Sequence, residues 1–475
     1  MRASHLNVAF WLLWLALFAF CFFNSYDDPS SLFYNQDKAY TPRFSAVRAR
    51  EGDEFVRNLL LPDGQRQPNP NGLDADRRPP AELDALRPGP GAPLLCVGIP
   101  SINRTTEAFL AHTLATLADN LSPHERAAVR IAVLLADRRP QAHFAYGQPW
   151  LAALADEVLV YAGDDKDNST AELLLPGGSG GKYRAVPWDV RGGGEDNRRG
   201  TGRVENMRMD HSVLVETCRR SGAPFFALVE DDVVTSRDWF RRLGAGLPEV
   251  DRRARSGRDD DGGGRDWVYL RLFYSEIFMG WNSEEWLTYM ETIFLVYAVV
   301  LLVFLEVRKR LFKGPPPGSS SSARAPPAPG GGSLAAARSL HSGFLAALVF
   351  GLWVPALIAL YFLAGRISVN RLMATVTPWG GRGGSGGVRE MPRYGCCAQG
   401  LVFPERHLEG FQRLLRDPPY DFAGDQILEG WAGRMGLSKW ALEPSVMQHV
   451  GLKESSEGPR RAEVWNFSFE RQHKR

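Results

Sequence analysis

Three consecutive carboxylates, Glu230, Asp231 and Asp232, close the apolar run FFALV at 225–229, and two valines follow them. Adjacent anions repel one another, and the end of a buried strand offers little water to spread their charge. A divalent cation would gather them, and a carboxylate donor set suits Mg²⁺ or Mn²⁺. Such an ion can bridge a diphosphate and offset the charge that builds on a nucleotide leaving group. A solvated acidic turn is the plainer reading of an isolated E-D-D triplet. The apolar residues on both sides argue against it here.

The elements that would hold these residues follow from the hydrophobic patterning. Apolar runs at 94–100, 130–137, 157–163, 225–234 and 267–273 predict buried strands, and 106–120 and 204–220 carry helical spacing. Strands that are continuously apolar and alternate with helices indicate an α/β sheet, largely parallel. Ligands of such sheets gather at the carboxyl ends of the strands. Pro100, Asp137 and the Glu230–Asp232 triplet all fall at such ends.

The chain has 475 residues with 56 Lys+Arg against 54 Asp+Glu, so its net charge gives no reason to expect a nucleic-acid partner. Its arginines are scattered and form no basic stripe interleaved with aromatics. Residues 6–23, 286–305 and 344–363 are each long and apolar enough to span a bilayer. Bulky Phe22, Phe23 and Tyr26 follow the first run where signal cleavage needs small residues, which predicts an uncleaved anchor. The other two runs predict a membrane hairpin. Glu291 is the weak point of its first helix, and Pro355 interrupts the second as membrane helices tolerate.

Arg308, Lys309, Arg310 and Lys313 follow the 286–305 run, and cationic flanks stay in the cytosol. Arg2 precedes the anchor while Asp27 and Asp28 follow it, which gives the same orientation; Arg366 and Arg371 run against it. The expected order is a cytosolic 1–5, the anchor, a lumenal stem at 24–93, and a folded domain in two parts, 94–285 and 364–475. The hairpin and a Pro/Ser/Gly-rich cytosolic loop at 306–343, disordered by composition, separate the parts. Four sequons, at Asn103, Asn120, Asn168 and Asn466, fit a lumenal domain. So do Cys96, Cys218, Cys396 and Cys397, which allow three pairings between them.

A set of stretches then carries a resemblance: CVGIPSINR at 96–104, FFALVEDDVV at 225–234, CCAQGLVFP at 396–404, YDFAGDQILEGWA at 420–432 and ALEPSVMQHVGLKESS at 441–456. Together with the position of the hairpin, they span nearly all of 94–456. In this the chain resembles the GPI-anchor N-acetylgalactosamine transferases (the post-GPI-attachment factor four family) and their fungal relatives. It departs from them in Gly/Arg-rich insertions around 178–202 and 251–266, in the Pro-rich loop and in the Gly-rich 380–387 segment.

The resemblance implies a Golgi membrane enzyme with three transmembrane helices and a lumenal GT-A glycosyltransferase domain split by the hairpin. It implies inverting transfer from a UDP-sugar, most simply UDP-GalNAc, to the mannose core of a GPI anchor, with Mn²⁺ or Mg²⁺ bound. Glu230 and Asp231 would approach ribose and diphosphate, while Asp232 and His449 ligate the metal. Asp425 would be the base that takes the acceptor proton. Asp421, expected one turn away on the same helical face, is its nearest competitor or a helix cap after Pro418 and Pro419. On the donor side, Pro100 and Ser101 would meet uracil, with Asp137 ending the next strand. Arg203, Asn206 and Asp210 would share a helical face leading to the carboxylates. The loop at 396–400 would lie beside the sugar, with Gly400 allowing close backbone approach. Two further readings are an N-glycan GlcNAc-transferase-like enzyme and a non-catalytic GPI- or lipid-binding membrane protein.

Overall fold

β1 (Leu95–Ser101) is buried on both faces because apolar residues occupy nearly every position. Its side chains alternate between two cores: Leu95, Val97 and Ile99 join one cluster, and Cys96 joins the other. β2 (Val129–Leu135) and β5 (Phe225–Val229) flank it in parallel. In this computed structural model the described residues are all except 1–2, 40, 63, 67–75, 90, 105–107, 138, 163–180, 188–200, 257–263, 277–279, 282, 284–285, 313–342, 370–386, 392–394, 396–397, 452–465 and 475.

Beyond β2 the sheet continues with β3 (Glu157–Ala162) and β4 (Tyr183–Pro187), both parallel. β4 lies within a segment that reads from composition as an insertion. The long run at 225–234 divides in two, because the chain turns at the carboxylates and restarts as β6 (Val233–Thr235). On the far side come β7 (Trp267–Arg271), β8 (Gly387–Glu390), β9 (Gly400–Pro404) and β10 (Ser438–Glu443). The order of the nine strands is β4-β3-β2-β1-β5-β9-β7-β10-β8, with β9 and β8 antiparallel to their neighbours. β9 thus inserts between two strands that precede the hairpin in sequence. One sheet is completed only when the chain has returned from it.

This α/β unit comprises Tyr40–Phe278 and Ala374–Arg475. The helix Thr201–Arg220 packs Val213, Leu214 and Cys218 against the Cys96 face, and the Cys96–Cys218 disulfide ties it to β1. Gly98 makes that approach possible, since a Cβ there would sit 2.9 Å from the Phe226 ring and 3.1 Å from Leu214. The helix Trp239–Ser256 covers the other face with Trp239, Leu243, Leu247 and Val250. The predicted helix over 106–120 is shorter, at Leu110–Ala118.

Part of the expected stem belongs to this unit. The helix Phe44–Leu59 packs on Leu110–Ala118, with Gly52 against Ala115, and buries Arg48. That guanidinium donates to both Asp119 oxygens at 2.7 Å and to the Thr235 carbonyl at 2.7 Å. A fully buried cation needs such pairing, so this part of the expected stem is structural.

Met1–Ala39 and Met279–Met373 form the second unit. Its helices contain three spans long and apolar enough to cross a membrane: Ser4–Asn24, Tyr289–Lys309 and Gly343–Ala364. The second lies a few residues later than expected, which puts Glu291 near its beginning. Ahead of Pro355 the third widens into a π-turn at Val349–Trp353. Such a turn keeps the backbone bonded where proline withholds its N–H. Trp14 donates to the Ala356 carbonyl at 2.9 Å, and Phe10 stacks on Trp353 at 5.0 Å, so the anchor packs on this helix.

Candidate functional site

β5 ends at Val229, and the chain turns through Glu230, Asp231 and Asp232 before β6 begins. The Thr113 hydroxyl holds the turn from beneath. It lies 2.8 Å from the carbonyl oxygens of both Asp231 and Val233 and accepts the Val233 N–H at 3.2 Å. β11 (Met447–His449) runs antiparallel to β6 and sets His449 opposite Val233. The Val450 N–H donates to the Asp232 carbonyl at 2.9 Å and closes the ladder. Two three-residue strands therefore carry His449 across more than two hundred residues of sequence to within 3.2 Å of Asp232.

Asp231 and Asp232 are both buried and share one guanidinium. Arg104 reaches Asp231 at 2.6 Å and Asp232 at 2.8 Å. Asp231 also accepts from the Ser101 hydroxyl at 2.7 Å. His143 Nε2 lies 3.3 Å from that hydroxyl, while its Nδ1 accepts the Ala145 N–H at 3.2 Å. The second bond leaves the ring proton on Nε2, facing Ser101. Burial, against the opposing charge of Asp137, lowers the His143 pKa to about 4, so the ring is neutral at pH 7. Gly451 passes so close that a Cβ there would overlap the Asp232 carboxylate.

The charges in this cluster are unevenly held. Burial, reinforced by Asp232, pushes Glu230 up to about 8, and Asp425 is near enough to add to the repulsion. Burial also raises Asp231, against the pull of Arg104. Burial works against Asp232 too, but His449 and Arg104 outweigh it and hold this carboxyl below its ordinary range. His449 is raised in return: Asp232 beside it overcomes the burial of the ring. The cluster thus holds the Asp232 carboxylate between the Arg104 guanidinium and the His449 ring.

One ligand atom from each of Glu230, Asp232 and His449 lies within 4.8 Å of the others. Two carboxylates and an imidazole suit Mn²⁺. Asp232 Oδ1 is buried and, among the described residues, has no hydrogen-bond partner. An unsatisfied buried carboxylate oxygen is costly, and a cation would satisfy it. The residues present therefore fit a divalent ion. No protein-family model matches this chain, and no curated protein is significantly similar to it.

The other expected site residues divide. Asp425 stands half-buried in the first turn of the helix Gly424–Arg434. One turn further along, Glu429 accepts from Lys439 at 2.7 Å, from Arg271 at 2.6 Å and from the Tyr269 hydroxyl. That buried knot fixes the helix against β7 and β10. Asp421 is not on this helix. It is exposed and precedes the N-cap, Ala423, which has no side-chain cap, so Asp421 neither shares the Asp425 face nor caps the helix.

Asp210 accepts from the Tyr161 hydroxyl at 2.6 Å at the end of β3, while Arg203 is exposed and Asn206 half-buried. Among the described residues, the side-chain hydrogen bonds and ion pairs of the three carboxylates run to Ser101, Arg104 and His449. None of these bonds runs to the 201–220 helix. Pro100 is half-buried at the end of β1, and Asp137 lies near enough to His143 to oppose the effect of burial on that ring. Gly400 is a packing glycine, because a Cβ there would meet the Met447 sulfur at 2.6 Å and Leu272 at 3.1 Å. Its missing Cβ points into the core. Cys396 and Cys397 lie outside the described residues.

Two sequons also fall. Asn120 and Asn466 are buried, and Asn466 caps the short helix Phe467–Glu470 by accepting the Phe469 N–H at 3.1 Å. Asn103 is exposed, and Asn168 is outside the described residues. Sequence reasoning missed Arg104, Thr113, His143 and Gly451 as parts of the site. Only Arg104 left a signal, as a cation just past the end of β1, the strand beside β5.

Proposed function

We propose that this chain is an inverting, metal-assisted GT-A glycosyltransferase that moves a sugar, first of all N-acetylgalactosamine from UDP-GalNAc, onto the mannose core of GPI anchors in the Golgi lumen. One observation carries the reading. A carboxylate–carboxylate–imidazole cluster stands at the carboxyl edge of a mostly parallel sheet, with a further carboxylate, Asp425, close to it. Nucleotide ligands gather at that edge. The resemblance to the GPI-anchor transferases adds the donor and the acceptor.

Glu230, Asp232 and His449 would hold the ion. When bound, it would offset the charge that forms on the leaving UDP. Arg104 can assist from the same side, since it already neutralises Asp231 and Asp232. Ser101, oriented by His143, keeps Asp231 in place. Asp425 would accept the proton of the acceptor hydroxyl while that oxygen bonds to the anomeric carbon and the bond from that carbon to UDP breaks. The electron pair leaves with UDP, and one displacement inverts the centre. The Cys96–Cys218 disulfide and the cationic flank at 308–313 support a lumenal domain.

Arg104 favours one variation, in which its guanidinium alone does the neutralising and no ion is needed. The test is UDP release by the purified full chain in detergent, across a panel of UDP-sugars, with Mn²⁺ or chelator and with a synthetic GPI-glycan fragment. The expected result is Mn²⁺-dependent, acceptor-stimulated release from one donor, lost in Asp232→Ala and in Asp425→Asn but retained in Asp421→Asn. Full activity in chelator would select the variation. Transfer to N-glycan acceptors alone would select the GlcNAc-transferase reading. No turnover of any donor, with GPI lipid still bound, would leave the non-catalytic one.

A further inference from the structure

Phe422 is 60% exposed, in the short segment between Asp421 and the Gly424–Arg434 helix. A single exposed apolar residue is ordinary on protein surfaces. This one is placed where it would normally be covered. It precedes the N-cap and so holds the position from which a hydrophobic residue usually packs against the fourth helical residue, here Ile427. Ile427 is packed on the core, yet most of the Phe422 ring stays open to solvent.

The exposure is not slack in the chain, because buried Arg208 holds the approach to it. Its guanidinium donates to the carbonyls of Leu414 at 2.7 Å, Leu415 at 3.0 Å, Asp417 at 2.6 Å and Pro419 at 3.0 Å. It also lies 4.6 Å from the centre of the Tyr420 ring. Beyond Phe422, Gly424 rests on Leu415 and on the buried His211 ring. A fixed loop therefore presents an aromatic face three residues before Asp425.

We propose that Phe422 is a stacking platform for a pyranose ring of the acceptor glycan. An acceptor hydroxyl within reach of Asp425 brings its own ring, or the next one, over the adjoining surface. The face of a hexose that carries C–H groups is apolar and matches an aromatic face, while its hydroxyls stay in water. The inference rests on the transferase reading, in which Asp425 meets an acceptor sugar.

The test uses the purified full chain in detergent with Mn²⁺ and UDP, and α-linked trimannoside as the probe. Binding is followed by saturation-transfer NMR and calorimetry. Phe422→Ala and Phe422→Leu should weaken trimannoside binding about tenfold, the scale of an aromatic contact, while Phe422→Trp retains it. UDP affinity, Mn²⁺ affinity and thermal midpoint should not change, since the side chain supports no core. Wild-type binding in Phe422→Ala, equal binding by Leu and Phe, or no binding by the wild type would each overturn the platform. Its failure is separable from that of the transferase reading. Donor turnover with an unaltered acceptor KM in Phe422→Ala removes the platform and leaves the enzyme. Phe422-dependent trimannoside binding without turnover of any UDP-sugar removes the enzyme and leaves the platform.

Discussion

Replacing Arg104 with glutamine tests how the carboxylate cluster is held together. The guanidinium makes ion pairs of 2.6 Å to Asp231 and 2.8 Å to Asp232, and all three side chains are at most 12% exposed. Removing one member of a buried pair typically costs about 3–5 kcal/mol, because the other stays buried and uncompensated. Two features limit the loss here. His449 still faces Asp232 at 3.2 Å, and Asp231, already raised by burial, can take up a proton once the guanidinium is gone. The expected destabilisation in chelator at pH 7.5 is therefore at the low end, about 3 kcal/mol. Mn²⁺ at about a hundred times its dissociation constant contributes about 2.7 kcal/mol and should recover most of this loss. In the wild type the ion enters beside an existing cation, so its gain should be smaller. The assay is urea unfolding of both proteins in detergent, followed by tryptophan fluorescence with and without Mn²⁺. A variant as stable as the wild type in chelator, or a larger Mn²⁺ gain in the wild type, would refute the reasoning.

Further outcomes follow from the same contacts. Gly451→Ala should weaken Mn²⁺ binding at least tenfold by displacing the Asp232 carboxylate, read from the electron paramagnetic resonance of free Mn²⁺; unchanged affinity would show that the strand can shift. His449→Ala should remove one ligand and weaken Mn²⁺ similarly in the same titration, with the Cys96–Cys218 bond intact in a non-reducing digest. Glu276 accepts the Phe467 N–H at 2.7 Å, yet burial pushes its carboxyl up to about 7. A carboxyl raised above its unfolded value makes the fold less stable as pH climbs from about 4.5 to about 7, by roughly 3 kcal/mol in all. Glu276→Gln should flatten urea midpoints across that window, and an unchanged slope would exclude Glu276 as the cause.

The sheet was legible because burial on both faces leaves a mark that needs no partner to read it. Continuous apolar runs located β1, β2, β3 and β7 to within a residue or two, and the start of β5, whose run at 225–234 breaks at the carboxylates. What lay beyond reach was pairing. β4, Tyr183–Pro187, is half-exposed and carries no such run, and it becomes a strand only because β3 offers an edge. β6 and β11 are three residues each, too short for any periodicity, and they exist because they pair with each other. Yet that ladder brings His449 to Asp232. The site residues found in advance were those whose type is costly where their neighbours put them, as with three carboxylates at an apolar strand end. Those missed have ordinary types. Thr113 and His143 act through bonds to groups over forty residues away in sequence. Gly451 acts through the side chain it lacks. Asp421 stands outside the helix that it was expected to share with Asp425, because that helix begins only at Gly424. The same argument accounts for the interrupted domain. β9 pairs with β5 and β7, both made before the hairpin, so strands from the two sides of the interruption share one sheet. Register across an insertion is set by the strands that flank it, and their sequences contain no record of what lies between.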